Sequence, residues 1–284
     1  MNELFEAIYK ECKQIIKGSK DTNLKNKEIR LDKDYKLIHT DSFDSSSMLR
    51  GTAFELLFYN SMRELGFRIE ATEDINRPDF LINETCNIEC VISTIGQDES
   101  IIDISDESHL SSATLDDSRW GASRLTNSIN CKTSKFKKYI NESRLPTNLP
   151  CIIAIDASIL STRTFALMVE MNTKRILYGI GEQKFNVEVN GKVNISNDHQ
   201  YRDVVLKKHG IIINTAYFAD NKEFKHVSGI LLYYSNQLFD YSNPILFINP
   251  WANVPIISEQ FVGKMRCYSL TAIIEADTFA FDFI

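Results

Sequence analysis

The sequence predicts a mixed α/β (α+β) protein, with a mixed central sheet flanked by helices and a mainly β C-terminal elaboration. Three observations predict it. Between residues 46 and 160 the apolar period runs helical, alternating and helical again, in the order helix, three strands, helix, strand. Beyond residue 160 short strand-like runs dominate. With 11 Gly and 6 Pro in 284 residues, no Pro- or Gly-rich linker divides the chain. The expected organisation is an N-terminal helix and exposed connection over 1–45, a core over 46–160, and a β-rich elaboration packed on that core over 161–284.

Taken in order, Asn2 to Lys17 carries Leu4, Phe5, Ile8, Cys12, Ile15 and Ile16 at helical spacing, with Gly18 placed to end the helix. Residues 19–36, rich in Lys, Asp and Asn, read as an exposed connection. Asp44-Ser45-Ser46-Ser47 offers N-caps for a helix from Met48 to Leu65, and Gly66 is its expected stop. Phe67–Ala71, Phe80–Ile82 and Asn87–Ile95 alternate as strands. A long acidic, Ser-rich loop follows, then a helix from about Ser123 to Ile140, then the apolar run Cys151–Ile155 of a strand buried on both faces. Further strands are expected at 176–178, 185–189, 192–195, 227–234 and 245–248, with Asn190-Gly191 as a hairpin turn. Trp251, in the Pro-bounded turn 249–255, is expected to anchor the C-terminal part.

Composition excludes fibrous and wholly disordered classes: 43% of residues are hydrophobic and 25% charged. No stretch reaches the ~20 apolar residues of a membrane span, and the N-terminus lacks the layout of a signal peptide, so the expectation is a soluble, cytoplasmic chain with no membrane partner. Six scattered cysteines are expected to be reduced thiols. A net charge of −6 argues at first against nucleic acid. That charge is unevenly spread. Asp98 to Asp117 holds seven acids and no Lys or Arg, whereas Ser118 to Arg144 holds seven bases and one acid, a local net of +6. The average conceals a basic helix.

Three carboxylates stand out against apolar surroundings. Glu55 lies within an otherwise apolar helix, Asp79 follows Pro78 at the start of a short strand, and Glu89 sits between Ile88 and Cys90 in the next. A hard divalent cation such as Mg²⁺ (or Mn²⁺) takes oxygen ligands, commonly one or two carboxylates with waters and a substrate phosphate. Asp79 and Glu89 on adjacent strands suit it. Such an ion acidifies water and offsets charge on phosphoryl oxygens, so phosphodiester hydrolysis is the expected reaction class.

Pro78-Asp79 followed ten residues later by Glu89, with Glu55 in the preceding helix and a basic helix leading to a buried strand, resembles the PD-(D/E)xK, or restriction endonuclease-like, nuclease superfamily. The resemblance covers roughly Met48 to Ser158. It implies that core fold, a Mg²⁺-dependent deoxyribonuclease activity in restriction, repair or phage defence, Asp79 and Glu89 as catalytic metal ligands, and Glu55 as the helix carboxylate or third ligand. The chain departs from the motif at one position, having Val91 where the family has its lysine. Some members supply that lysine from the following helix, where Arg124, Ser128, Lys132 (or Cys131), Lys135 and Tyr139 fall along one stripe. Lys132 is the candidate replacement, and Arg124, Lys135 and Lys138 are candidates for the DNA backbone. A homodimer would suit double-strand cutting.

Other chemistries find less support. Cys86 and Cys90 have no second ligand pair at zinc spacing, the five histidines share no ligand spacing, and neither a phosphate-binding Gly loop nor a nucleophile elbow is present. Two alternatives to an active nuclease stand beside it. One is a non-catalytic descendant of the fold, marked by Val91, that binds nucleic acid or a protein. The other is an interaction module whose acidic 98–117 segment docks on the basic helix.

Overall fold

The computed structural model describes residues 2–38, 43–72, 76–93, 115–145, 148–163, 166–187, 193–201, 204–206, 212–219, 222–235, 241–272 and 279–283. Three helices come first: α1 (Asn2–Gly18), α2 (Leu24–Ile38) and α3 (Phe43–Glu64). Strands β1 (Ile69–Ala71), β2 (Phe80–Ile82) and β3 (Cys86–Ile92) follow, then α4 (Leu115–Asn141) and β4 (Cys151–Asp156). Helices α5 (Ser158–Arg163) and α6 (Ala166–Tyr178) lead into two hairpins, β5 (Ile180–Val187) with β6 (Val193–Tyr201) and β7 (Val204–Leu206) with β8 (Ile212–Asn214). The chain closes with β9 (Gly229–Tyr233), β10 (Ile245–Ile248), β11 (Arg266–Ala272) and β12 (Phe279–Phe283).

Among the described residues the central sheet has eight strands in the order β1-β2-β3-β4-β9-β10-β11-β12. It is mixed: β1, β2 and β3 form an antiparallel meander, β3, β4 and β9 run parallel, β10 reverses, β11 runs parallel to β10, and β12 reverses again. Every residue of β4 is buried because helices cover both faces, which is why its sequence is a continuous apolar run. Alternate side chains divide between two cores. Ile88, Ile152, Ala154, Leu231 and Leu246 pack with α1, α2 and α3, while Ile153, Ile155, Ile230, Leu232 and Phe247 pack with α4, α5 and α6. Glu89 pairs with Ile153 and so shares the α4 face.

Two turns control this frame. α3 ends in a Schellman motif: Gly66, at φ 78°, donates its N–H to Arg63 C=O and Phe67 donates to Met62 C=O. Between β2 and β3, Asn83 and Glu84 both have positive φ (49° and 60°) and Thr85 N–H closes on Ile82 C=O at 2.8 Å, the geometry of a type I′ turn. That turn fixes Phe80 opposite Ile88.

Several expectations need correction. Most of residues 19–36, expected as exposed connection, belong to α2, because Leu24 and Leu31 are fully buried with Tyr35 and Ile38 packed beside them, while Lys25, Asn26, Lys33 and Lys36 make up the outer face. The helix expected to begin after Asp44–Ser47 starts at Phe43, and the one expected from Ser123 starts at Leu115. Ile176–Tyr178 ends α6 instead of forming a strand; a three-residue apolar run does not distinguish a buried helix turn from a strand. Strands β9 to β12 continue the central sheet and do not pack on it as an elaboration. Trp251 is 50% exposed, and the anchor of its turn is Asn249, which donates Nδ2–H to the carbonyls of Phe224 and Val227 and accepts Trp251 N–H. Asn190-Gly191 and the acidic segment from 94 to 114 lie outside the described residues, as do the side chains of 115–120. Among the described residues no helix is long and apolar enough to cross a membrane.

Candidate active site

Asp79 immediately precedes β2, and the Phe80–Ile88 pairing sets it level with Glu89 on β3. Asp79 Oδ2 accepts the Cys90 N–H at 2.8 Å, which ties the approach to β2 against the ladder. The Glu89 side chain is fully buried. Its Oε2 accepts hydrogen bonds from Lys132 Nζ at 2.7 Å and Lys135 Nζ at 2.9 Å, and its Oε1 accepts one from the Tyr139 hydroxyl at 3.1 Å. Residues 132, 135 and 139 are three and four apart, so one face of α4 delivers all three donors. Lys132 is 15% exposed and Lys135 35%, so Lys135 is the more open of the two lysines.

A second ionic group approaches Asp79 from α2 and α3. Lys27 is buried, with Nζ 2.6 Å from Glu55 Oε2, 3.8 Å from Asp79 Oδ1 and 4.5 Å from the centre of the Phe80 ring. Arg30 reaches Glu55 Oε1 at 3.1 Å and Oε2 at 3.3 Å. On the same side of α2, Asp34 accepts the Thr52 hydroxyl at 2.7 Å. Asp79, Glu89 and Glu55 each face at least one cation, and such pairing is what lets carboxylates stay away from water.

Burial and neighbouring charge push the two acids in opposite directions. Burial alone would raise the Asp79 carboxyl; the ammonium groups of Lys27 and Lys132, the Cys90 N–H and Lys135 outweigh it, so Asp79 titrates below its ordinary range. Glu89 titrates above its range, because burial and then repulsion from Asp79 exceed the pull of Lys132 and Lys135. Burial would lower Lys132, yet Glu89 and Asp79 together raise it, so Lys132 keeps its proton at neutral pH. It is a hydrogen-bond donor and a fixed charge rather than a base.

The sequence singled out Asp79, Glu89, Lys132 and Lys135, and these converge. Lys135 binds Glu89 directly, a more interior place than the substrate-backbone position expected of it. Arg124 lies two turns before Lys132, about 12 Å along the helix at the ordinary rise, and is partly exposed; Lys138 is exposed and off the Glu89 stripe. Glu55 is buried close to Asp79, but Lys27 and Arg30 occupy both its oxygens, so it does not join Asp79 and Glu89 as a third open ligand. Val91, at the motif lysine's position, packs on the α4 core. Sequence reasoning missed Lys27 and Arg30. The signal was the spacing of Leu24, Leu31, Tyr35 and Ile38, which marks a helix and places residues 27, 30 and 34 along one side of it.

Among the described residues no group of three or more His, Cys, Asp or Glu side chains is arranged to hold a metal ion. Mg²⁺ needs only one or two carboxylates when water and phosphate complete its shell; Asp79 offers Oδ1, 3.8 Å from Lys27 Nζ, whereas both oxygens of Glu89 accept protein donors. Comparison with family models, with curated proteins and with solved structures found no match.

Proposed function

We propose that the chain is a metal-dependent deoxyribonuclease of PD-(D/E)xK type whose lysine has moved from strand to helix. The observation that carries this reading is the meeting of Asp79, Glu89 and Lys132, from β2's approach, β3 and α4, with Lys132 Nζ 2.7 Å from Glu89 Oε2. The order α3-β1-β2-β3-α4-β4, with an antiparallel meander and β4 parallel to β3, also supports it, since it is the helix–three strands–helix–strand sequence on which the resemblance rests.

Each group then has a role set by its surroundings. A divalent ion held by Asp79 and Glu89 would supply charge neutralisation at the phosphoryl oxygens and acidify water. Asp79, held ionised by its cations and fixed through Cys90 N–H, is the better anionic ligand of the pair. Tyr139 fixes the orientation of Glu89 from Oε1. Lys132, protonated and largely enclosed, orients the attacking water or donates to the anionic transition state, a type of contribution worth about 10²–10³ in rate. Lys135 helps Lys132 hold Glu89, and Arg124 and Lys138 along the same helix supply charge to the DNA backbone.

The test is cleavage of duplex, single-stranded and branched DNA with Mg²⁺ or Mn²⁺, comparing the wild type with Asp79→Ala, Glu89→Gln and Lys132→Met. Metal-dependent cleavage that persists in all three removes the assignment. A second reading, a non-catalytic nucleic-acid binder of the same architecture, is favoured by one observation: both oxygens of Glu89 are already committed to protein donors. Salt-sensitive DNA binding without cleavage of any substrate would select it.

A further inference from the structure

We infer that Trp251 is a stacking platform for an unpaired base of single-stranded DNA, set across α4 from the Glu89 cluster. The inference rests on the DNA contact through α4 in the reading above, and it names the form of DNA that the protein holds. Trp251 is half-exposed, although the turn that carries it is tightly bound. Asn249 Nδ2 donates to the carbonyls of Phe224 and Val227 at 3.2 and 2.8 Å, and Asn249 Oδ1 accepts Trp251 N–H at 3.0 Å. Asn253 N–H donates to Lys225 C=O at 2.6 Å, and Pro250 and Pro255 restrict the chain on either side. The turn is held by its backbone and Asn249, and the indole ring is left in water. A backbone so restrained has little freedom to lose when a ligand stacks on the ring.

The segment that grips this turn is itself gripped by α4. His226 Nε2 donates to Thr133 C=O at 3.0 Å, and Tyr217, stacked on Phe224 with ring centres 3.9 Å apart, accepts Asn130 Nδ2–H at 3.3 Å. At 3.6 residues per turn, positions 132, 135 and 139 face Glu89, 130 and 133 face the 222–228 segment, and the exposed residues 131, 134 and 138 lie on the strip between. A helix is about 10–12 Å across, which one strand spans with about three nucleotides at 3.4 Å each. The strip suits a phosphate chain. From Gly121 to Asn141, α4 carries Arg124, Lys132, Lys135, Lys137 and Lys138 and no acid, and Lys137 and Lys138 are exposed. Lys225 adds a half-buried cation beside the turn. Of the acids near this surface, Glu142 is paired with Arg144 at 2.8 Å and Glu223 is exposed. Cationic track and exposed aromatic together are how single strands are held, the charges following the backbone and the ring taking a base. In a duplex each base face is covered by its neighbours, so Trp251 favours the unpaired base.

The chain has two tryptophans, Trp120 and Trp251, so stacking can be read from intrinsic fluorescence. The full chain is titrated, with a chelator present to prevent cleavage, against a short oligothymidylate and against a blunt duplex of the same length. The single strand is expected to quench the wild type and Trp120→Phe and to leave Trp251→Leu unquenched. Trp251→Leu is expected to bind the single strand about tenfold more weakly. Its duplex affinity, set by phosphate contacts, should change by less than about twofold. Trp251→Phe, which keeps a smaller ring, should bind the single strand with an affinity between the two. Near-ultraviolet circular dichroism checks the fold of each variant, and if W251L does not fold, loss of quenching in W251F decides. Unchanged single-strand affinity in W251L, equal loss on single strand and duplex, or quenching that survives in W251F overturns the inference and leaves the nuclease reading standing. A wild type that binds neither DNA overturns both.

Discussion

Lys132 and Glu89 are 43 residues apart and on different elements, yet their charged atoms meet at 2.7 Å in a site where Glu89 has no exposed surface. Val91, two residues on from Glu89 on the same face of β3, is apolar and packs beneath α4. The ammonium therefore comes from the helix and not from the strand. On the nuclease reading, Lys132→Met lowers cleavage by about 10²–10³. Adding Val91→Lys restores at least tenfold of that loss, because position 91 shares Glu89's face two residues on. Single-turnover cleavage rates check this; a double variant no faster than K132M counts against exchange between the two positions.

Glu89 also bears on stability. Glu89→Ala leaves the Lys132 and Lys135 ammonium groups facing each other without their acid, and breaking a buried pair costs about 3–5 kcal/mol. Glu89→Gln keeps shape and acceptor and is expected to cost less. Tyr139→Phe removes one hydroxyl donor, worth about 1 kcal/mol. Urea denaturation of the three variants should rank them in that order.

The two acids predict opposite pH dependences. Asp79 has a lowered pKa, so it contributes stability above its unfolded pKa and loses it as pH falls through the folded value. Glu89 has a raised pKa, so between its unfolded and folded values the native state binds the extra proton and stability falls as pH rises. Asp79→Asn should flatten the acid-side loss, and Glu89→Gln should remove the decline above the ordinary carboxylate range. Denaturation midpoints measured from strongly acidic pH, below the ordinary carboxylate range, up to neutral pH distinguish them; identical profiles in both variants would contradict the opposed shifts.

Two glycines make a test of the packing itself. A Cβ at Gly51, within α3, would meet nothing within 4 Å, so Gly51→Ala should stabilise by about 0.5–1 kcal/mol through helix propensity. At Gly229, where β9 lies between β4 and β10, a Cβ would approach Phe247 C=O at 2.9 Å and Ile256 Cδ1 at 2.7 Å. Gly229→Ala should destabilise by about 1–3 kcal/mol. Thermal melts of the pair should shift in opposite directions.

How much was legible follows from the period of each element. The alternation at 80–82 and 86–92 and the long apolar stripes of α3 and α4 report their own secondary structure, so Asp79, Glu89 and Lys132 could be placed together. α2 hid because its buried face holds only two fully buried leucines and is interrupted by Lys27 and Asp34, whose burial depends on ionic partners in other elements. Local composition cannot show that. Pairing of β4 with β9 across more than seventy residues is equally silent, since both are short apolar runs whose neighbour is chosen by the whole fold.

The type I′ turn at Asn83 and Glu84 carries one last consequence. A strand offers only two directions, so slipping β3 by one residue would send Glu89 into the apolar core of α1–α3 and bring Cys90 to the lysines. The acids are thus locked in phase by a turn at the far end of the hairpin. A helix is under no such binary constraint: it presents a neighbouring position every third or fourth residue, and lysine's long stem absorbs the difference. In this architecture the carboxylates are the immobile members of the site and the cation is the one free to change address.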